Sequence, residues 1–289
     1  MHEKIREYLE WKGTYASRAS VNYKIWLTRF VEICGNKPIE EYAVTDLVRY
    51  HKVLEARFNP CTVQFAMIVI KNFFRFFKHQ DYKCLSPSLI RIPRINAKSH
   101  RAITPEEFNK ILRVIPSYGF QHIRDLLIIR MLWDTGVRVS ELCDLEITQV
   151  DENKTSAVIS TKKTGKKRVI VWSDETHKVL MKYMSLRMEL HALNRSGALF
   201  VGRQKSPGIR LTSRSVERRI KYYVKMAGIK EKITPHSFRH GWAHKRRDHN
   251  APLAFIQRGL GHANPVSTFI YEQYNDNDFT NRAKGYLAR

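Results

Sequence analysis

Six residues that could act together on a phosphate stand beside structural punctuation rather than on open helix faces. Arg138 follows a glycine in "DTGVRVSEL", and Lys163 sits at the turn of "TKKTGKKR". His236 and Arg239 follow Pro235 in "TPHSFRH"; His262 follows Gly261 in "GLGH", and Tyr271 comes nine residues later. Transfer at a DNA phosphodiester develops negative charge on the non-bridging oxygens, which guanidinium groups bind bidentately. The leaving 5′ oxygen needs a proton, which lysine or histidine supplies as general acid. A tyrosine hydroxyl can attack the phosphorus and store the bond energy as a phosphotyrosyl ester. Two arginines, a lysine, two histidines and a tyrosine meet these needs without a metal or any other cofactor. Singly, each has an ordinary reading: an arginine in a basic chain is a solvated charge or a phosphate clamp, and Tyr271 is half-buried packing. The set carries the chemistry.

Composition agrees with a phosphate partner. The chain has 289 residues, enough for two domains with a core each. Lys and Arg number 51 against 27 acidic residues, a formal charge of +24. An excess that large repels itself in a compact state, so a polyanion is the expected partner. The basic residues run through folded-looking segments, which favours nucleic acid over a membrane surface. No run of about 18 apolar residues is present to span a bilayer, and "MHEKIREYLE" has a charged start instead of a leader's apolar stretch. Cys34, Cys61, Cys84 and Cys143 show no CxxC spacing, so buried free thiols in a reducing, cytoplasmic and nucleoid-associated setting are expected.

The elements that must position those six residues fall in two parts. Residues 1–88 read as a helical bundle. "SVNYKIWLTRFVEI" puts Val21, Ile25, Leu27 and Phe30 near helical spacing, and Asn59-Pro60 opens the strongly apolar "CTVQFAMIVIKNFFRFFK". Its Phe73, Phe74, Phe76 and Phe77 are read as core rather than as a base-stacking stripe. Residues 89–103 break the periodicity and carry Arg91, Arg94, Lys98 and Arg101, the pattern of a basic linker lying along phosphates. From 104 to 289 a second domain begins with Thr104 as cap, Pro105 in the first turn and Glu107 three residues after the cap. A helix ends at Gly136, "SAVISTK" and "KRVIVW" form a β-hairpin, and the rest is helical. The predicted fold class is mainly α, with a small hairpin or three-stranded sheet in the second domain.

Together "TGVRVSEL", the lysine of the Lys-Thr-Gly hairpin, "PHSFRH", "LGH" and the tyrosine nine residues beyond resemble the tyrosine recombinase (phage integrase) family, in the simple two-domain, Xer-like form. The motifs occur in the family's order over about residues 102–275; residues 1–88 match its core-binding domain by size and pattern. The resemblance implies Arg138 and Arg239 as phosphate clamps, His236 as acid/base and transition-state donor, and His262 in support. It implies Lys163 as acid for the 5′ oxygen and Tyr271 as nucleophile. Lys162, Lys166 and Lys167 compete with Lys163, which directly precedes Thr164-Gly165; Tyr274 competes with Tyr271, which the spacing from His262 favours. Two departures stand out: Gly259 where leucine is common, and "GWAHKRRDH" in place of a small apolar continuation. The resemblance further implies double-stranded DNA with paired half-sites, a dimer on one site, a tetramer in synapsis, and accessory DNA-bending proteins as a further class of partner. Chromosome dimer resolution and compact mobile elements both fit.

Single stretches carry further readings. Glu141, one turn after Arg138, either orients it or forms an ordinary intrahelical ion pair. His236, His240 and His244 share a helix face, yet no Glu-x-x-His or cysteine accompanies them, so no metal site is expected. "GRQKSPGIRLTSRSVERRIKYYVK", with Arg214 and Arg218, reads as a DNA-backbone surface. The tail places Phe279, Ala283, Tyr286 and Leu287 on one face, expected to dock on a neighbouring protomer, with packing back onto its own domain as the alternative. A type IB-like topoisomerase and a DNA-binding regulator with a decayed site are the rival functions; the complete residue set argues against the second.

Overall fold

Short-range caps set one helix in each part of the chain, Asn59-Pro60 at residue 60 and Thr104 with Glu107 at residue 105. In the computed structural model, which describes residues 1–95, 101–151, 153–160, 165, 167–189, 196–202, 208–261 and 268 (side chains of 15–19 excepted), the chain divides into two compact units, Met1–Ser99 and His100–Arg289. Lys98, Lys162, Lys163, Lys166, His262, Tyr271, Tyr274 and the tail lie outside the described residues.

The first unit is built from α1 (His2–Cys34), α2 (Val44–Glu55) and α3 (Pro60–Lys78). α1 bends back on itself: the Tyr8 and Tyr23 rings lie 6.1 Å apart, where a straight helix would hold residues so spaced at about 22 Å. α3 starts as its sequence predicts, with Asn59 Oδ1 accepting from the Thr62 N–H at 3.0 Å and Pro60 in the first turn. Phe73, Phe74 and Phe77 are fully buried, and Phe30 meets Tyr50 edge-to-face at 5.1 Å. The helix through residue 30 buries a different face from the expected one. Leu27 and Phe30 point inward with Tyr23, Trp26 and Val31, whereas Val21 and Ile25 are exposed.

The segment 89–103 is anchored at both described ends. Ile90 is buried in the first core, and its carbonyl accepts from Lys71 Nζ at 3.1 Å; the Pro93 carbonyl accepts from Gln64 at 2.8 Å. Ile103 is buried in the second core, where its N–H donates to the Ser237 carbonyl at 3.1 Å.

The second unit opens with α4 (Pro105–Arg113), capped reciprocally by Thr104 and Glu107. α5 (Phe120–Thr135) is buried on nearly all sides between α7 (Asp174–Glu189) and α9 (Pro235–Asp248), and ends at Gly136 with a left-handed φ of 60°. α6 (Val139–Cys143) follows at once. β1 (Val150–Asp151), β2 (Ser156–Ser160) and β3 (Lys167–Val171) form an antiparallel sheet in the order β1-β2-β3, with Ile159 opposite Arg168. α8 (Ser213–Met226) and α10 (Leu253–Leu260) complete a mainly α fold with a small three-stranded sheet. Among the described residues no helix is long and apolar enough to cross a membrane. All four cysteines are free; Cys34 and Cys143 are buried and Cys84 partly so, but Cys61 is exposed, contrary to expectation.

Candidate active site

Arg138 is placed by a helix start. It occupies the N-cap of α6, and Glu141 returns to it: Oε2 accepts from the Arg138 backbone N–H at 3.0 Å, and Oε1 accepts from its guanidinium at 3.0 Å. This is the intrahelical pair anticipated from the spacing, but the same carboxylate does more. Arg168 of β3 reaches it with two N–H groups, at 2.6 and 3.2 Å, and donates its Nε–H to the Gly259 carbonyl at 3.1 Å. Burial pushes the Glu141 carboxyl up; the Arg168 hydrogen bond, the Arg138 N–H and the two cations more than reverse that and hold it below the usual carboxylate range. Glu141 is therefore an ionised bridge between the start of α6 and the return strand of the hairpin.

Arg239 joins the other two segments. It is buried on α9, donating to the Gly136 carbonyl at 2.9 Å and the Leu260 carbonyl at 2.6 Å. Gly136 precedes Arg138 by two residues, and Leu260 precedes His262 by two. One guanidinium on α9 thus ties together the C-terminal ends of two other helices, so that three of the sequence motifs meet there. His236 lies one turn before Arg239, in the first turn of α9, and is exposed. Lys163 belongs to the connection closed by the Ser160–Lys167 pair, whose next residue, Arg168, is fixed to Glu141.

The other predicted basic residues separate into two groups. Arg91 and Arg94 are exposed on the first unit, and Lys167, Arg214 and Arg218 are exposed on the second. Arg101, although on the surface, pairs with Glu107 at 2.7 Å. Within the stretch read as a DNA-backbone surface, Arg210 donates to the Cys143 carbonyl at 2.9 Å and pairs with Glu146, while Arg219 holds the buried Asp125 at 2.6 Å. Those two arginines are half-buried struts within the second unit. In α9, burial and then the charge of Arg247 lower the pKa of His244, favouring its neutral form.

Arg168 escaped the sequence reading, yet a signal for it existed. In "KRVIVW" the residues that alternate with Arg168 are Ile170 and Trp172, both buried, whereas Val169 and Val171 are more than half exposed. The valines made the outer face look like the core face; the two bulkier residues place Arg168 inward. The departures at Gly259 and Trp242 are one feature: a side chain on Gly259 would overlap the indole of Trp242.

The family model of the phage integrase family matches residues 101–278. The chain therefore belongs to the phage integrase family, as a tyrosine-type site-specific recombinase. Tyrosine recombinase XerA of Pyrococcus furiosus is 30% identical over 272 residues, spanning 93% of this chain and 87% of that protein. The crystal structure of XerA recombinase matches over 99% of both chains with a TM-score of 0.56 and 26% identity. The Tn1549 transposon integrase, in complex with a circular intermediate DNA, has a TM-score of 0.79 at 16% identity, over 99% of this chain and 98% of that one, a likeness of fold.

Proposed function

We propose that this chain cuts one strand of duplex DNA at a specific site through the Tyr271 hydroxyl. The Tyr271 oxygen bonds to phosphorus as its proton passes to His236 acting as base, the bond from phosphorus to the 5′ oxygen breaks, and Lys163 gives that oxygen a proton. The products are a 3′-phosphotyrosyl bond and a free 5′ hydroxyl. A partner strand's 5′ hydroxyl then attacks the phosphotyrosyl bond and releases Tyr271, so the bond energy is conserved and no high-energy cofactor is consumed. Arg138 and Arg239 hold the non-bridging oxygens as charge builds on them, with His236 and His262 as further donors. The observation that carries this reading is the Arg239 guanidinium between the Gly136 and Leu260 carbonyls, which gathers the backbone leading to Arg138, Arg239 and His262 at one point.

The partner is double-stranded DNA with paired half-sites, bound by a dimer on each site and by a tetramer in synapsis, at the nucleoid. The +24 charge and the exposed Arg91, Arg94, Lys167, Arg214 and Arg218 support a phosphate-lined partner, as do relatives whose structures hold DNA. Two differently labelled duplexes carrying the paired sites, incubated in EDTA, test it. Joined hybrid products are expected, because arginine, lysine and histidine supply the charge that a metal would. Relaxation without joined products would point to topoisomerase chemistry instead, and a strict need for added Mg²⁺ would sink the mechanism.

A further inference from the structure

Trp242 stands at the junction that sets Arg239, yet it belongs to none of the groups that touch phosphate. Its side chain is buried on α9 with Ala243, Ile256 and Leu260, in a small core separate from the main one. The indole N–H donates to the Asp134 carbonyl at 2.8 Å, and the ring stacks on Phe255 at 6.3 Å. Two glycines admit it. A Cβ on Gly136 would lie 2.9 Å from the indole Cγ, and Gly136 has a φ of 60° that disfavours a side chain in any case. On the opposite edge, a Cβ on Gly259 would overlap Cη2 and sit 3.1 Å from Cζ2.

The ring is thus wedged between the cap of α5 and the last turn of α10. Those are the segments whose carbonyls hold the arginines: Gly136 and Leu260 accept from Arg239, and Gly259 accepts from Arg168. We propose that Trp242 is a positioning residue, a spacer whose width sets the separation of these two backbone segments and hence the placement of the Arg239 and Arg168 guanidiniums. Gly259 is its complement, small because the ring occupies the volume that a side chain there would fill. The inference rests on the reading of Arg138 and Arg239 as the residues that hold the phosphate.

A size swap tests it on the full chain. The variants are Trp242→Phe, Trp242→Ala, Gly259→Leu and the pair Trp242→Ala/Gly259→Leu, which returns most of the lost volume from the other side. Each is read three ways: DNA affinity, single-turnover covalent capture on a nicked duplex, and amide exchange at residues 136–138 and 259–261 without DNA. Affinity should stay within about threefold, since Trp242 is buried, while capture by Gly259→Leu and Trp242→Ala slows by about 10- to 100-fold, the scale of a misplaced catalytic group. Trp242→Phe should fall between these variants and wild type. The pair should exceed the worse single change by at least about fivefold in capture and regain protection at both segments. A pair no better than the worse single variant in either readout overturns the proposal, including where a single variant fails to fold. If the wild-type chain captures no DNA, the functional reading fails, and the exchange data alone decide whether Trp242 is the spacer.

Discussion

Glu141 is held by cations from two directions, and its ionisation makes the site's stability depend on pH. Its folded pKa is depressed from 4.5, so the stabilisation it provides is present above 4.5 and is lost as pH falls through the lower folded value. Arg168→Ala removes the strongest partner and leaves the carboxylate buried with less compensation. That variant should lose about 3–5 kcal/mol at neutral pH, the cost of breaking a buried ion pair on one side. Its acid unfolding limb should also move to higher pH, because the Glu141 carboxyl is no longer held down. Chemical denaturation at several pH values reads both effects; an unchanged acid limb would mean that Glu141 is not the bridge described.

At the scale of elements, the phase of β3 decides what the hairpin can present. Ile170→Ala should cost about 2–5 kcal/mol as a core truncation, whereas Val169→Thr on the outer face should stay within about 0.5 kcal/mol. Equal costs in thermal melts would contradict the inward phase of Arg168. The same comparison shows which features were legible. The Thr104–Glu107 box, the Asn59-Pro60 start and the Gly136 stop could be read because each is settled by atoms within a turn of the residue itself. The face of α1 could not: "SVNYKIWLTRF" offers Val21 and Ile25 on one side, Tyr23, Trp26 and Phe30 on another. Packing against Tyr50 and Phe74 selects the second. Arg138 and Arg239 are candidates that motif spacing alone singles out, but Arg168 and Trp242 make their contacts with residues distant in sequence, 27 positions from Arg168 to Glu141 and 108 from Trp242 to Asp134. No local pattern encodes those pairings.

For the whole molecule, the +24 charge is the dominant property. Six or more phosphate contacts should make DNA affinity fall by roughly 10³-fold or more between about 50 and 200 mM salt, through counterion release. A titration series in a gel-shift or anisotropy assay measures the slope. A nearly flat response would assign the charge some other purpose. Internal pairs such as Arg219–Asp125 and Arg168–Glu141 use some of the basic residues inside the fold, so the surface arginines and lysines must supply the slope.

In the proposed reaction one particular oxygen becomes covalently joined to DNA. A nicked duplex, from which the cut strand diffuses away, should trap the wild-type chain as a covalent adduct. Peptide mapping should find the DNA on Tyr271. Tyr271→Phe, which removes one oxygen and little packing, should bind DNA and give no adduct, while Tyr274→Phe should still trap. A DNA-linked peptide modified at Tyr274, or an adduct that survives in Tyr271→Phe, would contradict the account.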